Sequence, residues 1–392
     1  MDKPDSPPLV RDLRLRAGLA AAALHRRSLR EVSFIGVTGS CGKTTTKELI
    51  AAALASELRG RKTPGEGNGL AVTAKTVLRT TNRDAFCVVE VAAGEAGEMA
   101  RAARLVRPRI AVVTHIGSDH RTVYRTLEAT AAEKWTLLEH AADGAIAVLN
   151  LDDPHVIAMA AGFGGRVLSF GCSSGAALRA EDVRSPWPQR LSFTLRFGDR
   201  SFPVHTRLCG RHWVGSVLAA LGVAVAMGVP LERSIAAIAA VPPTPGRMSP
   251  VACGGVTFVC DHIKAPLWTM GSVFEFLTEG HAARKVAVIG TISDYPGSSS
   301  RAYRRVAEVA LSAADEVLFV GPNARKALKA ERDREGPPLH AFEALPEAAE
   351  HLRSTLRDGD LVVLKGSARA DKLHRLVSAY SATNGIDARS RL

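Results

Sequence analysis

Gly36-Val-Thr-Gly-Ser-Cys-Gly-Lys-Thr-Thr-Thr46 is the stretch on which the fold turns. A near-continuous apolar run, Ser33 to Val37, leads into it, and a helix-forming segment follows it. A glycine-rich turn between a strand and a helix is the setting of a P-loop. Glycines at 39 and 42 let the backbone turn tightly, so that its N–H groups and the helix N-terminus point at phosphate oxygens. Lys43 adds a point charge there. Thr44, the next residue, is placed to give its hydroxyl to Mg²⁺. The predicted nucleotide cradle thus runs through Thr38, Gly39, Ser40, Cys41, Gly42, Lys43, Thr44 and Thr45. The spacing departs from GxxxxGK[ST], which would need glycine at Val37, since Gly36 comes one residue too early. The plain alternative is a glycine-rich turn that merely holds a lysine. Strand, turn, Gly-Lys-Thr and helix together favour a nucleoside triphosphate instead, without separating a kinase, a GTPase, a motor or a ligase.

Outward from this loop, short β-branched runs alternate with helical stretches, the pattern of a parallel sheet covered by helices. Ser33 to Val37, Phe86 to Val91, Ile110 to His115 and Ala145 to Asn150 are near-continuous apolar runs, as expected of strands buried on both faces. From Val167 to Leu208 the segments shorten and alternate, which predicts an antiparallel extension of the same domain. Helices are expected from about His212 and about Glu232. Val241 to Pro250, with four prolines, reads as a linker. Beyond it, Val256 to Asp261, Lys285 to Ile289, Glu316 to Val320 and Leu361 to Leu364 predict a second α/β unit, with a helix over Tyr303 to Ala313. The expected class is α/β: a P-loop NTPase-type central domain with a parallel sheet, plus a smaller Rossmann-like C-terminal domain. The expected boundaries are 1–32 for an N-terminal helical extension, 33–246 for the central domain and 247–392 for the C-terminal one.

Composition narrows the class further. The 392 residues are 46% hydrophobic and 23% charged, which excludes disordered, collagenous and coiled-coil chains. The length suits two or three domains. A formal charge of +12 favours a polyanionic ligand, although solubility alone could account for it. The six cysteines are scattered, with neither a CxxC pair nor zinc-site spacing, and read as reduced cytosolic thiols. Trp213 to Leu231, the longest uncharged run, is interrupted by three glycines and a proline and predicts a core helix rather than a membrane span. Gly18 to Leu24 imitates a signal peptide only weakly, because the apolar stretch is short and runs into His25, Arg26 and Arg27. A cytoplasmic protein without membrane or nucleic-acid partners is expected, its N-terminal helix being the element that could dock a protein.

Three further residues stand at or beyond successive strand ends. Glu90 ends the run Cys87-Val-Val, where an open α/β sheet faces its ligand crevice. His120 lies in Thr114-His-Ile-Gly-Ser-Asp-His-Arg121, and Lys134 follows on a helix. Taken singly they read as a strand-end charge, a loop histidine and a solvated lysine. Together, on the side of the phosphate loop, they point to a metal and phosphate site.

With those residues placed, the chain resembles the Mur ligase family, the ATP-dependent amide-bond synthetases of peptidoglycan assembly and their relatives, from about Ser33 onward. Thr38-Gly-Ser-Cys-Gly-Lys-Thr-Thr-Thr46 is similar to the family's TGxxGKTTT, which accounts for the displaced glycine. The resemblance implies that Glu90 and His120 bind magnesium. It also implies that Lys134, in Ala132-Glu-Lys-Trp135, is the lysine carbamylated to N6-carboxylysine beside a second metal. Asn150-Leu-Asp-Asp153, Gly210-Arg-His212, Gly246-Arg247 and Lys365-Gly-Ser367 resemble further family motifs, in the order of the D-alanyl-D-alanine-adding branch. Asp261-His-Ile-Lys-Ala-Pro266 stands where the family has a nucleotide- and substrate-contacting loop, which implies roles for Asp261 and Lys264 beside Arg247.

The chain also departs from the family. About 32 residues precede the first strand, where muramoyl-substrate ligases carry a uridine-nucleotide domain. Ser216 stands where an adenine-facing asparagine is usual, and Thr291 to Ser298 does not match the peptidoglycan enzymes. A different acceptor is therefore expected. The implied reaction joins a small carboxylate to an amine through an acyl phosphate, releasing ADP and phosphate. ATP and Mg²⁺ or Mn²⁺ are required, with Lys43, Lys134, His120 and Lys264 in catalytic positions and Arg247 and Lys264 brought in by closure over the linker. The rivals are a nucleotide-binding regulatory or partner protein that forms no amide, and a small-acid kinase.

Overall fold

The computed structural model describes residues 8–92, 97–118, 123–330 and 336–383. The chain divides into two units, one comprising Met1–Glu181, Thr194–Val204 and Val214–Val241, the other Asp182–Phe193, His205–Trp213 and Pro242–Leu392. Among the described residues no helix is long and apolar enough to cross a membrane.

The first part of the chain runs α1 (Pro8–Ser28), β1 (Ser33–Thr38), α2 (Lys43–Ala55), β2 (Gly60–Lys62), α3 (Leu70–Arg79), β3 (Phe86–Glu90), α4 (Glu98–Val106), β4 (Ile110–Val113), α5 (Leu127–Glu139), β5 (Ile146–Asn150) and α6 (Pro154–Ala161). It continues with β6 (Arg166–Gly171), β7 (Leu178–Arg184), β8 (Ser192–Phe197), β9 (Arg200–His205), α7 (Val214–Ala226) and α8 (Leu231–Ala239). The sheet order is β2-β3-β1-β4-β5-β6-β7-β8-β9. From β2 to β6 every pairing is parallel, and β6 also pairs parallel with β7 at Phe170 and Gly171. Parallel character therefore extends beyond the point where an antiparallel extension was expected at Val167. Arg166–Gly171 looks unlike a core strand because its first two residues are exposed.

Burial explains why the central strands were legible. Phe34, Ile35 and Val37 of β1, Cys87, Val88 and Val89 of β3 and the whole of β4 are sealed between helices. Gly36 lies within β1, where a Cβ would come 2.8 Å from Leu137 Cδ1 of α5. Its missing side chain lets that helix lie close on the strand, which explains a glycine outside the P-loop spacing. Ala22 of helix α1 and Leu29 just after it pack into the same core, with Leu15 and Leu19 against it. The Arg26 guanidinium sits 4.0 Å over the Phe34 ring, and its Nε donates to Val106 O at 2.9 Å.

The second unit carries β10 (Ser249–Cys253), β11 (Val256–Asp261), α9 (Met270–Glu279), β12 (Arg284–Ile289), α10 (Ser299–Ala313), β13 (Glu316–Val320), β14 (Leu339–Phe342), α11 (Leu345–Thr355), β15 (Asp360–Lys365) and α12 (His374–Thr383). Its sheet order is β10-β11-β15-β12-β13-β14, antiparallel only at β10. Strand β10 begins inside the proline-rich stretch read as a linker. Pro250 is tolerated there because β10 is an edge strand. The core is Phe258, Val286, Val288, Leu318, Val362 and Leu364, covered by Leu352 of α11, Leu376 of α12 and Leu373 just before α12.

Candidate active site

In the first sheet the chain leaves β1 toward β3 on one side and returns to β4 on the other. Such a reversal opens a crevice at the carboxyl ends of the strands, the usual ligand position in open α/β sheets. The turn 39–42 enters α2 at that point. Gly39 has φ +142° and Gly42 φ +76°, both disfavoured for residues with a Cβ. A Cβ on Gly39 would also lie 2.0 Å from Thr114 Oγ1, so the turn is pressed against the end of β4.

Side chains then fix the loop. Ser40 Oγ donates to Gly117 O at 3.0 Å, Ser40 N donates to His115 O at 2.7 Å, and Thr114 Oγ1 donates to Cys41 O at 2.7 Å. Lys43 Nζ donates to Gly39 O at 2.7 Å, holding the ammonium over its own turn. Thr44 Oγ1 donates to Glu90 Oε2 at 3.0 Å. Glu90 is only 1% exposed, and Asn68 Nδ2 donates to its other oxygen at 3.2 Å. Thr45 is buried in the first turn of α2. The Thr38 hydroxyl faces Met99 Sδ at 3.8 Å.

Lys47 and Asn68 went unnoticed in the sequence. Lys47 is fully buried, with Nζ 3.7 Å from Glu90 Oε2 and a hydrogen bond to Gly65 O. Its position four residues beyond Lys43 on α2 was a usable signal, since helical spacing puts both on one face. Asn68 had no such cue. Lys134 of α5 is 5% exposed, so it does not belong to a solvated helix face. His120 lies outside the described residues.

The Asn150-to-Asp153 motif acts as a brace. Asn150 Nδ2 donates to Thr114 O at 2.9 Å, while Asp153 Oδ2 accepts from Ile116 N and pairs with His115 Nδ1, each at 2.7 Å. Asp153 also caps α6 through His155 N and Val156 N. Burial alone would raise the Asp153 carboxyl, but the hydrogen bonds from His115 and the backbone outweigh it and hold the group below the ordinary carboxylate value.

In the second unit, the register sets Asp261 of β11 beside Lys365 of β15, and Lys365 Nζ donates to Asp261 Oδ2 at 2.7 Å. The chain reverses between β12 and β15, and Asp371 ties the two strand-end loops together. Its carboxylate accepts from Thr291 N at 2.7 Å, Thr291 Oγ1 at 2.5 Å and Ser367 N at 2.8 Å. Gly290 must be glycine here, because a Cβ would lie 2.2 Å from Asp371 Oδ2. Arg247 is half-buried in the turn before β10, and Lys264 is exposed on the loop after β11.

Residues 37–224 match the Mur ligase middle domain, and residues 246–368 match the domain described as Mur ligase, glutamate ligase domain. The UDP-N-acetylmuramoyl-tripeptide–D-alanyl-D-alanine ligase of Mycobacterium tuberculosis (strain CDC 1551 / Oshkosh) is 30% identical over 387 residues, covering 90% of this chain and 74% of the relative. Among solved structures, MurF from Acinetobacter baumannii superposes with a TM-score of 0.85 at 22% identity, over 94% of this chain and 80% of that one. MurF ligase from Thermotoga maritima in complex with ADP gives 0.83 at 23% identity, over 94% and 83%. At those identities the two structures establish the shared fold. Both domain matches and the full-length relative agree: the chain belongs to the Mur ligase family, in its D-alanyl-D-alanine-adding branch, and is an ATP-dependent C–N ligase.

Proposed function

We propose that this ligase joins a small carboxylic acid to an amine through an acyl phosphate. The observation that carries the reading is the buried Thr44–Glu90 contact, 3.0 Å long, at the mouth of a turn whose lysine is held over it. A carboxylate oxygen of the acid attacks the γ-phosphorus of ATP, the bond from that phosphorus to the β–γ bridging oxygen breaks, and ADP leaves. The amine nitrogen then attacks the acyl carbon, the carbon–oxygen bond to phosphate breaks, and the nitrogen gives up a proton as phosphate departs. Backbone N–H groups of the 39–44 turn and the Lys43 ammonium would bind the phosphates and offset charge that spreads in the transition state.

The donor set suits the metal the family implies. A hydroxyl and a buried carboxylate are hard oxygen ligands, so Thr44 and Glu90 would hold Mg²⁺, or Mn²⁺ equally well. The bound ion would supply positive charge at the phosphates. For a second ion, we assign Glu90, His120 and Lys134. A plain ammonium at Lys134 would repel a cation, whereas its N6-carboxylated form offers oxygens. Arg247, Asp261 and Lys264 are assigned to nucleotide and substrate contacts, within domains bounded at 33–246 and 247–392. A dependence on ATP supports a cytoplasmic location for the proposed reaction.

The substrates named for the relatives, a UDP-N-acetylmuramoyl-tripeptide and D-alanyl-D-alanine, are the first acid and amine to try. The departure of Thr291 to Ser298 from the peptidoglycan enzymes favours a modified acceptor, so a panel of other acids and amines belongs beside them. The test is release of ADP and phosphate from ATP with each acid, with and without amine. Equimolar ADP and phosphate requiring both substrates support the ligase. Acid-dependent ADP without phosphate would make it a kinase, and nucleotide binding without any turnover would make it a regulator.

A further inference from the structure

We propose that Glu316, His340 and His351 form a binding site for a transition-metal dication of the zinc class, at the amino ends of the strands in the second unit. The three ligand atoms lie within 4.8 Å of one another, and among the described residues this is the one such convergence of three histidine, cysteine or acidic groups. His351 Nε2 is 2.7 Å and His340 Nε2 3.2 Å from the same atom, Glu316 Oε1. Tetrahedral zinc with bonds of about 2.0–2.1 Å sets its ligand atoms about 3.3 Å apart, so small side-chain movements would admit the ion.

Three features go beyond chance proximity. The residues come from separate elements, β13, β14 and α11, so the cluster is a product of the tertiary fold. Glu316 is oriented from behind: Arg284 Nη1 donates to its Oε2 at 3.2 Å, and Arg284 is in turn held by Asp360, at 2.6 Å between Nη2 and Oδ2. That leaves Oε1 facing the imidazoles, the outer-shell arrangement that fixes a ligating carboxylate. The Phe342 ring flanks both histidines, with centroids 6.2 Å from His340 and 5.3 Å from His351, walling one side with apolar surface.

The chemistry of the set selects the ion. Two imidazoles and a carboxylate suit Zn²⁺, with a water in the fourth position, and suit Mg²⁺ poorly because it prefers all-oxygen shells. Glu316 is 5% exposed, His340 34% and His351 20%, so the carboxylate is sheltered while the imidazoles remain open to an entering ion. The site lies at the strand end opposite Lys365, Thr291 and Asp371. Its consequence is therefore mechanical: it would pin β14, a four-residue edge strand with a single neighbour, to β13 and α11.

The experiment uses tag-free, full-length protein stripped with EDTA and titrated with ZnCl₂ and CoCl₂ in excess Mg²⁺. One equivalent of Zn²⁺ is expected, with the visible absorption of tetrahedral cobalt and a rise in Tm on adding zinc. His340→Ala and His351→Ala should each weaken binding at least about tenfold, and the double variant should lose the cobalt spectrum while keeping its circular dichroism. Absence of stoichiometric Zn²⁺ or Co²⁺ binding by the wild type would overturn the proposal, leaving the cluster a purely hydrogen-bonded one. So would a folded double variant that binds one equivalent with unchanged affinity, because the ion would then lie elsewhere.

Discussion

Lys43 and Lys134 are both buried lysines of the first unit, yet their proposed roles predict opposite dependences. In the proposed mechanism Lys43 acts through its positive charge, so Lys43→Ala should lower the turnover number for ADP release by about 10²–10³-fold with unchanged circular dichroism. Unchanged turnover would refute the phosphate assignment. In the proposed mechanism Lys134 would act as a carboxylate after carbamylation, so Lys134→Ala should be inactive and partly restored by short carboxylic acids such as formate or acetate. No restoration would count against the carbamate. The phosphate loop was legible because its residues are contiguous and each has one physical reason to be there. Asn68 was not, because its approach to Glu90 depends on how the 63–69 loop folds back on β3.

At the level of elements, Asp153 joins a helix cap to the loop after β4. Asp153→Ala removes the α6 cap and strands the buried Ile116 N–H, so a loss of about 2–4 kcal/mol is expected from denaturant unfolding. A loss under about 0.5 kcal/mol would contradict the bracing role. The pH dependence follows from the carboxyl being held below its ordinary value. Its contribution is complete above the unfolded-state carboxylate pKa and is lost as pH falls through the lower folded-state value. The stability difference between wild type and variant should therefore shrink on acidification. The central strands β1, β3, β4 and β5 could be read directly, since burial between two helix layers demands near-continuous apolar runs. β2, with the sequence Gly-Arg-Lys, and β14, with Leu-His-Ala-Phe, could not, because short edge strands hold their place by pairing rather than by composition.

Over the whole molecule, each unit has its own apolar core, and the thiols follow that division. Burial pushes Cys87 and Cys260 up to about 12 and Cys209 up to about 11. In the native protein, thiol reagents should modify exposed Cys172 quickly and these three only on unfolding, as peptide mapping would show. Rapid native modification of Cys87 would place the first core elsewhere. The α/β class and the family were legible because motif order survives along the chain. The cluster of Glu316, His340 and His351 was invisible, being assembled from three elements with no sequence spacing of its own. The central claim is transfer of the γ-phosphoryl group to a carboxylate, and the most direct measurement of it is isotopic. With an acid–amine pair that supports turnover, the acid is supplied with both carboxylate oxygens as ¹⁸O, and the released phosphate is analysed by mass spectrometry. The account predicts one ¹⁸O in each phosphate, delivered through the acyl phosphate, with ADP as the other product. Unlabelled phosphate, or AMP and pyrophosphate in place of ADP and phosphate, would contradict it.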